Sequence, residues 1–162
     1  MRTDPPRIGE VSGIEQLVPW SVFCTLVLLL CLLRPCAGRI FFLVMALAVN
    51  VVLVLVAPEQ FVALGTDGAI LAPYEWFFEN VVVPAPPVFG LLAASYEIAV
   101  ALLMLGKGRH AKWGLIRGIA FLLAITPLGV RTLGNPIMAL ALAYLLTKEY
   151  DRSLPQMLVA TG

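Results

Sequence analysis

Long apolar runs separated by short polar or basic stretches dominate the chain, and five of them stand out, at about 17–33, 40–56, 87–105, 113–130 and 132–147. A helix crossing the hydrocarbon core of a bilayer needs about 20 residues, with a range of ~17–25. The first three runs meet that length without interruption. The fourth contains Pro127, and the fifth is apolar only from Pro136 onward, for ~12 residues against that requirement. The pattern predicts an all-α fold: an integral membrane bundle of four to five transmembrane helices. It forms a single membrane domain over residues 1–162, with one sizeable outer-face loop at 57–86.

Composition sharpens this picture. Apolar residues make up 60% of the chain and charged residues 13%, with a mean hydropathy of +0.94. An ordinary soluble domain carries roughly 45–50% apolar and about 25% charged residues. Disorder and a disulfide-stapled secreted domain are excluded on the same grounds, since three cysteines are too few and odd in number. A net charge of +1 offers no field for nucleic acid, so the expected surroundings are the lipid bilayer and other membrane-complex subunits. The first run reads as a retained helix, not a cleaved signal. Arg2 and Arg7 are offset by Asp4, Glu10 and Glu15, no small-residue cleavage pair follows, and Arg34-Pro35 before Cys36 does not resemble a lipoprotein cleavage box.

Placement of Lys and Arg sets the expected orientation. Arg34 and Arg39 follow the first run, and Lys107, Arg109, Lys112 and Arg117 follow the third. The stretch from Pro58 to Asn80 has no basic residue and carries Glu59, Asp67, Glu75 and Glu79. With five spans and the N-terminus outside, eight basic residues lie inside and only Arg2, Arg7 and Arg131 outside. The expectation is a multi-pass protein of the plasma (inner) membrane with a cytoplasmic C-terminus.

The outer loop holds Tyr74, Trp76, Phe77 and Phe78 between Glu75 and Glu79. In a helix the two carboxylates share one face, and Tyr74, Phe77, Phe78 and Val81 share the other. Pro84 to Pro87 then stiffens the chain before the third span. Two readings fit: an anchor in the headgroup plane, where aromatic rings are favoured, or a lid and partner interface built on Glu75, Trp76, Phe77 and Glu79.

Glu97 is the most informative residue. It sits mid-way along the third run, where a carboxylate costs at least ~2–3 kcal/mol to insert unless paired or protonated. Its helical neighbours Gly90, Ala93, Ala94, Ala101 and Met104 form a mostly small face, which turns Glu97 into the bundle. Candidate partners are Asn50 in the second span, Arg117 about one turn into the fourth, and the hydroxyls of Tyr96 and Tyr144. The group either fixes helix packing or grips a ligand and handles its proton. A quinone or a lipid is the ligand type this position admits, and no cofactor is bound by this chain alone.

Other chemistries find no residues. His110, the single histidine, lies in a basic loop and cannot form a metal or haem site alone. Cys24 and Cys31 share a helix face two turns apart, and no Cys-x-x-Cys occurs, so they read as small hydrophobes. No nucleotide loop, catalytic triad or inverted repeat is visible, and no catalytic residue is identified. Gly114-x-x-x-Gly118 and Ala139-x-x-x-Ala143 mark close helix contacts.

Tyr74-Glu75-Trp76-Phe77, then Pro84 to Pro87, Phe89, Glu97, Leu102-Leu103-Met104-Leu105-Gly106 and Arg109 together resemble the DoxX-like family of small multi-span membrane proteins. The resemblance covers roughly residues 40 to 147, and the first span is an addition to the four helices of usual members. It implies a small membrane subunit, often accessory to a redox enzyme such as a thiosulfate–quinone oxidoreductase, or an aid to maturation of other proteins. The residue it carries over is Glu97, with Trp76 and Arg109 as weaker matches. Three functions follow as expectations. The first is an accessory, quinone-proximal subunit of an oxidoreductase complex without its own redox centre. The second is a non-enzymatic scaffold or assembly subunit. The third is a small-molecule carrier using the intramembrane carboxylate.

Overall fold

The computed structural model describes residues 8–57, 62–63, 65–66 and 69–159, and no strand occurs among them. Helix α1 spans Ile8–Leu33, so it begins about two turns before the apolar run and accommodates Pro19 inside. Arg34 leaves helical geometry (φ −139°, ψ 76°), and Pro35 opens α2, Pro35–Val44, at the position where a missing N–H costs nothing. The second run continues as a π-helical segment, Met45–Asn50, and then as α3, Val51–Val56. A short α4, Ala72–Phe77, and a π-helical turn, Phe78–Val82, follow. Helices α5, Pro86–Leu105, and α6, Gly108–Ile125, form an antiparallel hairpin. Two 3-10 segments, Thr126–Leu128 and Val130–Gly134, lead into α7, Asn135–Leu146, and α8, Leu154–Val159, closes the described chain.

Two of these helical stretches, Pro86–Leu105 and Gly108–Leu128, are long and apolar enough to cross a membrane. Leu17–Leu33, Pro35–Ala48 and Thr132–Leu146 are apolar but shorter. The fourth element differs from the sequence expectation at both ends. It starts at Gly108, so His110 lies in its exposed first turn and not in a loop. Its α-helix stops at Ile125, because Pro127 has no N–H to return to the preceding turn and the chain tightens into a 3-10 turn.

Small residues let the helices approach. A Cβ at Gly38 would lie 2.5 Å from Cys31 Sγ, which locks α1 against α2. One at Gly114 would lie 2.7 Å from the Met104 backbone nitrogen, so α6 crosses α5 backbone to backbone. Gly118 meets Met104 and Leu142 in the same way. Helix α7 sits between α1 and α6 and buries Met138, Ala139, Ala141, Leu142 and Leu145. Cys24 and Cys31 are fully buried in this core as free thiols.

At one end of the bundle a single cation joins four parts of the chain. Arg39 is 1% exposed, and its Nη2 donates to the carbonyls of Met104 and Gly106, the latter at 2.9 Å. These carbonyls lie at the C-terminus of α5, where no helical N–H remains for them and positive charge is favoured. The guanidinium also lies 4.4 Å above the Tyr150 ring. Tyr150 in turn accepts from Gly108 N at 2.7 Å and donates its hydroxyl to the Leu145 carbonyl at 2.6 Å. Gly108 has φ +53°, a left-handed conformation that an L side chain rarely adopts, so glycine is needed at this tight turn.

At the opposite end, the segment after α3 docks on the end of α6. Tyr74 donates to the Ala124 carbonyl at 2.8 Å and Ile70 N to the Pro127 carbonyl at 2.9 Å, satisfying groups that the helix end leaves open. Phe78 and Val82 pack with Leu128, and Gly65 lies so close to the Phe78 ring that a Cβ would overlap it. Of the residues expected to share the apolar face, Phe78 is buried and Phe77 is 41% exposed, and Val82 is buried beside Phe78.

Replacing Arg39 with Leu orphans two carbonyls, and a loss of about 1–3 kcal/mol of stability is expected in a reversible unfolding titration. An unchanged midpoint would remove Arg39 from its central place. Burial pushes the Tyr150 hydroxyl up to about 12 from an ordinary value near 10, partly opposed by Arg39. The folded state thus holds this proton more tightly than the unfolded chain does. The resulting stability is complete below pH 10 and is lost as pH rises through 12. Tyr150→Phe should lack that component, seen as a flatter stability profile over the same alkaline range.

Candidate functional site

Glu97 is half-buried on the inner face of α5, about 12 Å along the axis from Leu105. It lines a half-open cavity of about 120 Å3 between α1, α2 with its π-helical continuation, α5, α6 and α7. Helix α5 supplies Tyr96, Glu97 and Ala101, and α6 supplies Gly118 and Phe121. Phe42, Met45 and Ala46 come from the second helical run, Trp20 from α1, and Asn135 with Met138 from α7. The space exists for local reasons. Ala46, Ala101 and Gly118 offer little volume, and a π-helical turn at Met45–Asn50 widens the backbone beside them.

The walls are mostly apolar and aromatic, with few polar groups. The Tyr96 hydroxyl donates to the Arg117 carbonyl at 3.1 Å, and its ring lies 5.6 Å from that of Phe121. Asn135 is 3% exposed. Its Nδ2 and the Trp20 indole Nε1 are shut off from solvent with no hydrogen-bond partner among the described residues. A pocket with such walls, mostly apolar with few polar groups, suits a largely apolar molecule. Its carboxylate can accept a hydrogen bond from such a molecule or exchange a proton with it.

Of the residues singled out from the sequence, Glu97 and Tyr96 come together at this cavity. Arg117 does not. Its side chain is exposed on α6, and only its carbonyl reaches Tyr96, so the expected contact with Glu97 is corrected. Asn50 closes the π-helical segment, and its side chain lies outside the described residues. Tyr144 reaches α1 instead, donating to the Leu32 carbonyl at 3.5 Å. Glu75, Trp76, Phe77 and Glu79 are exposed on α4 and the turn after it, away from the cavity lining. Among the described residues no group of three or more His, Cys, Asp or Glu side chains gathers as a metal set would.

Sequence reasoning missed Trp20 and Asn135. Each carried a signal: Trp20 follows Pro19 inside an apolar run, and Asn135 precedes Pro136 at the start of another. Such positions look like helix starts and interface belts, which conceals an inward-facing role. Compared with protein-family models, with curated proteins and with solved structures, the chain finds no match in any of the three.

Proposed function

We propose that the chain is a membrane bundle of four to five spans that serves as an accessory, quinone-proximal subunit of an oxidoreductase complex and carries no redox centre of its own. The observation that carries this reading is the cavity around Glu97, mid-way along an apolar helix. A carboxylate at that depth is retained at a cost unless it serves packing or a ligand, and here it lines the pocket.

The surface supports a membrane setting. Val18, Val22, Leu26 and Leu33 form an exposed stripe along α1, with Leu33 at 78% exposure, and Val88, Leu91 and Leu102 do so on α5. A contiguous apolar exterior of this kind is covered in a working protein. Helix α7 alone is 12 residues, about 18 Å, which is short for a span. The 3-10 turns before it add about 2 Å per residue, and its burial within the bundle removes the need for an apolar exterior.

Charge supports the orientation. Arg34, Arg39, Lys107, Arg109, Lys112 and Lys148 lie about the end that the Arg39 carbonyl contacts and the exposed Lys112–Glu149 pair define. We place this end in the cytoplasm, with the N-terminus outside. The resemblance to the DoxX-like family supports the accessory-subunit reading. A scaffold role is favoured by one observation of its own: Trp76 is 62% exposed between two exposed carboxylates, which suits a docking patch at the outer face.

The test is purification of the tagged chain from its native membrane with Glu97 or with Glu97→Gln. The reading expects a stoichiometric redox partner in both cases and a fall in quinone-linked turnover of about tenfold or more in the variant, in keeping with loss of a positioned proton-transfer group. Full turnover in the assembled variant would remove Glu97 from the function. Loss of the partner on charge reversal at Glu75 and Glu79 would favour the scaffold role.

A further inference from the structure

The start of α6 carries a second, open groove, lined by Arg109, Lys112, Trp113 and Ile116. Their spacing of three, four and seven residues puts all four on one face of the helix. That face points away from the bundle: Arg109 is exposed, Trp113 is 56% exposed and Ile116 is 41% exposed. The residues that α6 buries, Ala111, Gly114, Leu115 and Gly118, lie on the opposite side.

The sign of the charge is unusual for this place. The N-terminus of a helix is its positive end and favours carboxylates. The first turn of α6 holds no acidic residue and no side-chain cap, and it carries Arg109 and His110, with Lys112 just beyond. Lys112 pairs with Glu149 at 3.1 Å, a carboxylate 78% exposed. An exposed pair of this kind is weak, so Lys112 is free to exchange Glu149 for another anion. Arg109 forms no ion pair among the described residues.

Position decides which anion fits. The stretch Gly108–Leu128 is long and apolar enough to cross a membrane, and the two cations stand in its first turns. Ile116 is seven residues beyond Arg109, about 10 Å along the axis. The headgroup layer is about 5–8 Å deep on each side of a bilayer. With Arg109 among the phosphates, Ile116 reaches the acyl chains, and Trp113 lies between them at the depth where indoles concentrate. Leu123, 50% exposed two turns further, continues the same stripe. A soluble phosphate meets the cations and leaves the apolar half of the groove bare. A zwitterionic headgroup adds a cation of its own to this corner, so a lipid of net negative charge is favoured.

We propose that this groove seats one anionic phospholipid of the inner leaflet, with Arg109 and Lys112 on its phosphate and Trp113 and Ile116 beside the start of an acyl chain. The proposal rests on the membrane setting above, with this end inside, and not on the cavity at Glu97.

The test uses the full chain in phosphatidylcholine nanodiscs, with its three tryptophans as reporters of lipids brominated on the acyl chains. At equal mole fraction, brominated phosphatidylglycerol should quench more than brominated phosphatidylcholine. Its relative affinity should be about five- to thirtyfold higher, as one to two cations near the surface provide. Arg109→Gln combined with Lys112→Gln should bring the two lipids to within about twofold of each other. Trp113→Phe should remove the excess quenching, which locates the lipid at this indole and not at Trp20 or Trp76. Glu149→Gln, which frees Lys112, should raise the preference, and it serves if the double variant fails to fold.

Equal quenching by the two lipids removes the seat and leaves the membrane setting standing. An excess that survives the double variant or Trp113→Phe, or that does not rise with Glu149→Gln, would also overturn the proposal. So would loss of the excess on adding millimolar inorganic phosphate, which would assign the cations to a soluble anion. No quenching by either lipid would remove the membrane setting itself, and the seat with it.

Discussion

Burial of the Arg39 guanidinium is the constraint on which the rest of the bundle depends. Its Nη2 meets two carbonyls at the end of α5 and the turn after it, its plane lies over the Tyr150 ring, and Nε and Nη1 are buried without a hydrogen-bond partner among the described residues. Through these contacts Arg39 fixes the end of α5 against α2 and ties the segment after α7 to both. Tyr150 then closes the loop by accepting from Gly108, the residue that starts α6. The α5–α6 hairpin thereby keeps its alignment, with Gly114 seated on the Met104 backbone. Further along, Glu97 of α5 and Gly118 of α6 both line the cavity.

The cavity is what this arrangement leaves unfilled. Close helix crossings at Gly38, Gly114 and Gly134 draw the backbones together at the ends of the bundle. Between them, small side chains and a π-helical turn leave space that no neighbouring side chain fills. Interiors of proteins are otherwise close-packed, and a void of this size removes dispersion contacts from its lining.

Legibility in the sequence followed the strength of the local signal. Glu97 was visible because a carboxylate interrupts an apolar run, and the small face around it correctly turned it inward. Gly114 and Gly118 were visible through their spacing. Arg39 was legible as a charge beside a helix start but not as a buried one, since its acceptors are backbone carbonyls more than sixty residues away, which no side-chain pattern announces. The π-helical segments were invisible because no Pro or Gly marks Met45–Asn50 or Phe78–Val82. Trp20 went unread because its packing depends on a long-range contact with Gly134 and not on anything in its own helix.

The central proposal is that this bundle crosses a membrane with its Arg39 end inside. Single cysteines introduced at Lys107 and at Ala72, in a background lacking the three native cysteines, test it through labelling with a membrane-impermeant maleimide in intact cells and in inverted vesicles. The account predicts that the site at 72 reacts only in intact cells and the site at 107 only in inverted vesicles. Labelling of both sites from the same side would contradict it.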